Sequence, residues 1–269
     1  MTRSFPLRAL GLSSLTALAG CLGTETPPPA ADPGFLDPDA TGTAAIAAAS
    51  LNSAARSTEA LDGTVDNDSG ALGIGTLTGS VAADGETIPL DDGGEIVLTF
   101  GDTDFAALFE ATPTGEDRTI GVVGLPTDAA DMPATGAANY SGTASVTIQD
   151  DTAVYDLDGT ASVEADFAGG SVTTALTDLS GTETVGLNPP ADVTDLADIA
   201  IDGSTITGAT FAGGTPALAS DTLADLSGLE TTSLDGGFYG PEADEVGAVF
   251  VIDDSADGTL TIFGVVIAD

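Results

Sequence analysis

Three aspartate doublets, Asp91-Asp92, Asp150-Asp151 and Asp253-Asp254, and a single thiol, Cys21, have types and spacings that could do chemistry. Neighbouring carboxylates can split their pKa values and serve as acid and base. Each pair, however, falls between strand-like runs, where adjacent acids mark solvated turns. Histidine is absent, which places serine-histidine and cysteine-histidine catalysis out of reach and removes the commonest ligand of zinc and haem. The chain therefore reads as a non-enzyme, with no catalytic residue, no cofactor and no metal site expected. The spacing Gly73-x-Gly75-x-x-x-Gly79 approximates a nucleotide loop but has one residue too many and no helical pattern after it, so these are turn glycines.

Cys21 has a different chemistry. A lone thiol forms no intramolecular disulfide, and a metal would need partners the chain lacks. It closes the run Leu18-Ala19-Gly20-Cys21, behind Arg3, Arg8 and a short apolar stretch from Ala9 to Ala19. Residues 1–20 have the layout of a secretory signal peptide, too short to span a bilayer. The box resembles a bacterial lipoprotein signal, in which the thiol receives a diacylglycerol before cleavage. That resemblance implies a mature chain starting at Cys21 and held to a membrane by its acyl chains. Leu22, where an aspartate would retain a lipoprotein in the inner membrane of some bacteria, points to the outer membrane.

The charge balance excludes other partners. Four basic residues face 43 acids, for a formal net charge of −39, and two of the cations, Arg3 and Arg8, would leave with the signal. Arg56 and Arg118 remain, and from Thr119 to Asp269 there is no Lys, Arg or His. Nucleic-acid binding needs clustered cations and is excluded. A solvated acidic surface suited to salty surroundings is the favoured reading, and a face that recruits cations or a basic partner is the alternative.

These residues need elements to hold them. Residues 21–60 read as a flexible tether, with Pro27-Pro28-Pro29, Pro33 and Pro38 early on and an alanine-rich stretch over 43–60 that could form a weak helix. Residues 61–129 read as a small strand-rich region with frequent glycine turns. In residues 130–269 the alternation in Thr160-Ala161-Ser162-Val163-Glu164-Ala165 and in Thr143-Ala144-Ser145-Val146-Thr147-Ile148 predicts strands with one buried face. Gly-Thr-Ala-Ser-Val stands at 142–146 and again at 159–163, as expected of adjacent hairpin strands turning near Asp150-Asp151. Further strands are predicted over 171–180, 182–187, 203–211, 229–239, 244–252 and 258–268, with the last two the most enclosed. About eight antiparallel strands suit a small closed barrel, with a β-sandwich as the alternative. Acids on the outward face argue against a membrane-spanning barrel.

Two motifs carry a family resemblance. One is Met132-Pro133-Ala134-Thr135-Gly136-Ala137-Ala138-Asn139-Tyr140-Ser141-Gly142, and the other is Gly236-Gly237-Phe238-Tyr239-Gly240-Pro241-Glu242-Ala243-Asp244-Glu245-Val246-Gly247-Ala248-Val249-Phe250. Both resemble the β-barrel domain of transferrin-binding protein B and its smaller surface-lipoprotein relatives. Ala248 stands where a second glycine is usual. The resemblance implies an all-β fold in which an eight-stranded antiparallel barrel over 130–269 follows a handle-like region over 61–129. It also implies a non-catalytic protein, lipid-anchored on the bacterial outer membrane at the cell surface. Such a protein would capture a solute or protein ligand for uptake, with an outer-membrane transporter as a further partner. A structural or adhesive envelope lipoprotein without a specific small ligand is the alternative. No ligand-binding residue can be matched.

Overall fold

The computed structural model describes residues 36, 42–52, 55–82, 86–91, 93–100, 105–114, 118–220, 223, 229–254 and 260–269. Cys21, the leader and most of the expected tether lie outside the described residues.

Two antiparallel sheets follow one another along the chain. The first holds β1 (Thr43–Asn52), β2 (Ser57–Asp66), β3 (Ala71–Ile74), β4 (Leu77–Ser80), β5 (Thr87–Pro89), β6 (Glu95–Phe100), β7 (Ala106–Thr112) and β8 (Thr119–Gly124). Their order is β4-β3-β2-β1-β8-β7-β6-β5, and a bridge between Gly79 and Leu90 draws its two ends together. Inside it Ile46, Val65, Ile74, Ile88, Ile96 and Phe109 form a core.

Within the alanine-rich stretch 43–60, residues 43–52 are β1 and 57–60 open β2, strands rather than the expected weak helix, and the handle sheet therefore begins at Thr43 rather than near residue 61. Ile46 and Ala48 face the handle core, while Ala49 and Leu51 face the second sheet. A strand enclosed on both faces by closely approaching neighbours needs small side chains. Tertiary burial here overrides alanine's helix propensity.

The second sheet holds β9 (Ala137–Gln149), β10 (Ala153–Asp166), β11 (Ser171–Val185), β12 (Ala191–Val193), β13 (Asp198–Thr207), β14 (Thr210–Ala212), β15 (Thr215–Ala219), β16 (Leu229–Tyr239), β17 (Glu245–Asp254) and β18 (Thr261–Ala268). Pairing of β18 with β9 and of β11 with β13 closes eight of these strands, β9-β10-β11-β13-β14-β16-β17-β18, into a barrel. Closure joins the first and last strands of this ring, so neither stands as an open sheet edge. The repeated pentapeptides do lie on adjacent strands, with Ala144 opposite Gly159 and Val146 opposite Leu157. At their turn Asp150 Oδ1 accepts the N–H groups of Thr152 and Ala153, each at 2.7 Å. Burial acts to raise its pKa, but these donors and the Thr152 hydroxyl outweigh it and hold the carboxyl below its ordinary value.

The strands predicted over 171–180 and 182–187 are one strand, β11, and that over 203–211 is broken between β13 and β14. Asp253-Asp254 forms no turn either: it ends β17, where Asp254 is buried.

Strands β17 and β18 are buried over nearly their whole length because both faces are covered. Ala248, Phe250, Ile262 and Val266 face the barrel core, while Val249, Val251, Phe263 and Val265 face the handle. That is why their sequences read as near-continuous apolar runs.

Both cations of the described body pair with acids, Arg56 with Asp253 at 3.4 Å and Arg118 with Glu110 at 2.6 Å. The barrel supplies none of its own. Its carboxylates repel one another through solvent, and salt screens that repulsion. The thermal unfolding midpoint is therefore expected to rise between low and molar sodium chloride; a midpoint that falls or stays flat counts against uncompensated repulsion.

Candidate functional site

The second sequence motif sits at the junction of barrel and handle. Phe238 points into the barrel, where its ring packs 5.4 Å from Phe167 and 5.4 Å from Phe211. Those two phenylalanines sit in two segments of similar sequence, Asp166-Phe167-Ala168-Gly169-Gly170 and Thr210-Phe211-Ala212-Gly213-Gly214. A Cβ at Gly236 would lie 2.3 Å from the Phe211 ring, so the glycine makes room for it. Tyr239 points the other way and is buried against the handle. Burial pushes its phenol well above the usual range, and the neighbouring Glu245 carboxylate adds to the shift.

Backbone and side chain weld the junction. Gly240 N–H donates to Leu125 O at 2.9 Å and Thr127 N–H to Phe238 O at 3.0 Å, so the linker from the handle runs along the motif as an extra strand. The Thr127 hydroxyl donates to Gly240 O at 2.7 Å, and Tyr140, from the first motif, donates to Ala243 O at 2.8 Å. Fully buried Glu245 accepts the N–H of Ala106, at the start of β7, at 2.6 Å. A Cβ at Gly247 would meet Val122 of the handle at 2.4 Å, so this glycine lets the two sheets approach. The motif's chemistry is thus architectural: it docks a barrel onto a handle.

The barrel interior is filled. Phe238, Phe211, Phe250, Ile148, Leu176 and Leu179 are among its fully buried side chains. Among the described residues no cluster of three or more His, Cys, Asp or Glu is placed to hold a metal ion. Of the acidic doublets, Asp150-Asp151 lies in its expected turn and Asp91 accepts the Thr78 hydroxyl at 3.0 Å. Asp92 lies outside the described residues. Cys21, the one residue assigned a chemistry from sequence, is outside the described residues.

Open space lies instead between the two sheets, on the outside. A groove of about 370 Å³ runs between β6, β7 and β8 of the handle and β9 and β10 of the barrel, and a second hollow of about 240 Å³ continues it past Arg118 and Ile120. Sequence reasoning missed this groove, because it forms only where residues far apart in the chain meet.

A closed eight-stranded antiparallel barrel docked on a smaller sheet, with the interior packed and the motif at the junction, defines a barrel-and-handle protein. The chain belongs to the family described as the C-lobe and N-lobe beta barrels of Tf-binding protein B, whose model matches residues 132–269. Among solved structures it is similar to a point mutant of transferrin-binding protein B from Haemophilus parasuis (19% identity, TM-score 0.57), covering 83% of this chain and 44% of that one. It is also similar to isotype 1 transferrin-binding protein B from serogroup B Neisseria meningitidis (16% identity, TM-score 0.53, 83% of this chain and 43% of that one). Intact Ap-TbpB, with N and C lobes, is comparable at 18% identity and TM-score 0.53, over 83% of this chain and 45% of that one. The chain thus spans less than half the length of these structures. No curated protein sequence matches it.

Proposed function

We propose that this chain is a non-catalytic binding protein, attached through a lipid on Cys21 to the bacterial outer membrane and displayed at the cell surface. Membership of the transferrin-binding protein B barrel family carries this reading, and the Leu18-Ala19-Gly20-Cys21 box supports the anchor. The similar proteins of known structure are named for binding transferrin, a macromolecular ligand. The filled barrel interior favours a protein partner here too, held on the outer surface, over a small solute held inside. An outer-membrane transporter that receives the captured ligand is a further partner under this reading.

Protease added to intact cells is expected to remove the protein, and protection until the outer membrane is breached would overturn surface display. The lipidated chain on cells is also expected to retain a reproducible, stoichiometric protein from its natural surroundings. Retention of none would leave the adhesive or structural role.

A further inference from the structure

The groove between handle and barrel has a floor, two rims and a charge, and together these describe an occupant. On the barrel side, cross-strand rows set Val265 beside Ser145 and Asp158, and Phe263 beside Thr147 and Asp156. Each row climbs from a buried apolar residue through a hydroxyl to a carboxylate at the rim. On the handle side, Ile120 stands beside Glu110, and Glu110 beside Val97. The two hollows share Arg118 and Ile120 and so form one continuous groove.

Two further observations point to a ligand. Among the described residues four large hydrophobic side chains are exposed, and two of them, Val97 (41%) and Val154 (36%), line this groove at opposite ends. Between these ends the lining of the larger hollow is mainly apolar within a polar rim, the make-up of an interaction surface. Arg118, the cation in the groove, is held by Glu110 through Nε at 2.6 Å and Nη2 at 2.7 Å, so its charge is neutralised in place. Asp156 and Asp158 on the opposite rim leave the groove negative.

We propose that this groove takes an extended polypeptide segment in which basic and apolar side chains alternate, presented by a partner of opposite charge to this chain. The inference rests on the binding-protein reading and names the partner's chemistry and its seat. Asp156 and Asp158 are two residues apart on one strand, about 7 Å along it, the distance at which an extended segment presents every second side chain. Lysine or arginine at one parity meets these carboxylates while aliphatic residues at the other parity cover Ile120, Phe263 and Val265. The acidic field of the whole chain steers a cationic segment in and repels an acidic one.

The test is calorimetric titration of the whole chain with a short synthetic peptide alternating leucine and lysine. Comparison peptides carry serine for leucine or glutamate for lysine. D156N/D158N is expected to weaken binding about tenfold, and E164Q/D166N, which removes the same charge further along β10, by less than about twofold. Ser145→Trp, which fills the groove from an exposed position, is expected to abolish binding, and both comparison peptides are expected to bind poorly. Equal weakening by the two charge-removing pairs would reduce the effect to general attraction and overturn the proposal, as would no binding of the alternating peptide. If that happens while cells still retain a protein partner, the groove assignment fails alone. If the peptide binds as expected but the chain is protected on cells, surface display fails alone.

Discussion

Between pH 10 and 12 the protein is expected to unfold, with the tyrosine phenols ionising in the same transition rather than before it. The chain makes this unusually clean to observe. It contains three tyrosines, no histidine and no lysine, so almost nothing titrates between the carboxylates and the phenols. All three tyrosines are buried. Burial raises the Tyr140 phenol to about 12, with the nearby Asp244 carboxylate adding to it. Burial likewise raises Tyr155 to about 12, helped by its 3.1 Å hydrogen bond to Glu183 and by the charges of Glu183 and Asp150. Tyr239 is pushed higher still. For an acid whose pKa is higher in the folded state, the folded state holds its proton longer as pH rises. Stability is then undiminished below the unfolded-state value near 10 and is lost as pH climbs through the folded-state values. Each tenfold difference in a phenol's acidity between the two states costs about 1.4 kcal/mol. The measurement pairs phenolate absorbance with circular dichroism across an alkaline titration. Phenolate absorbance that rises near pH 10 while the sheet signal is intact would show that the phenols are not shielded.

How far the sequence reveals this architecture depends on how many faces of each strand are covered. Strand β10 has one face inside and one in water, so its alternation from Ala161 to Asp166 is visible, and the repeated pentapeptide fixes its partner. Strands β17 and β18 are covered on both faces, and their apolar runs disclose enclosure without disclosing that a second sheet covers them. Strand β1 is also covered twice, but with alanine, whose small side chain and helix preference hide the alternation. Strands β12 and β15 are short additions to the barrel, of 3 and 5 residues, and leave no periodic signal. The second motif is legible as family and as barrel, yet its principal service, holding Glu245, Tyr239 and Gly247 against Ala106 and Val122, needs both sheets in place. The groove is less legible still, since Val97 and Asp158 meet only through the docking of one sheet on the other.

Gly264→Ala is expected to cost about 3 kcal/mol, far above the effect of an ordinary methyl addition in a strand. Gly264 lies on β18 directly opposite Phe250 of β17. A Cβ there would lie 2.1, 2.4 and 2.8 Å from three atoms of the Phe250 ring, inside van der Waals contact with each. The ring cannot swing away, because Phe250 is fully buried in the barrel core and close-packed interiors do not yield by an ångström. The glycine and the phenylalanine therefore form one packing unit, in which the missing side chain of one is the seat of the other. Phe250→Leu removes the ring and leaves a cavity, costing about 1–2 kcal/mol alone. In the double variant the alanine methyl enters space the ring has vacated, so the combined cost is expected to fall short of the sum by at least about 1 kcal/mol. Denaturant unfolding of the wild type, the two single variants and the double variant measures this coupling. Additive costs would mean that the ring and the glycine are not in contact, and the seat of the Phe250 ring over Gly264 would have to be redrawn.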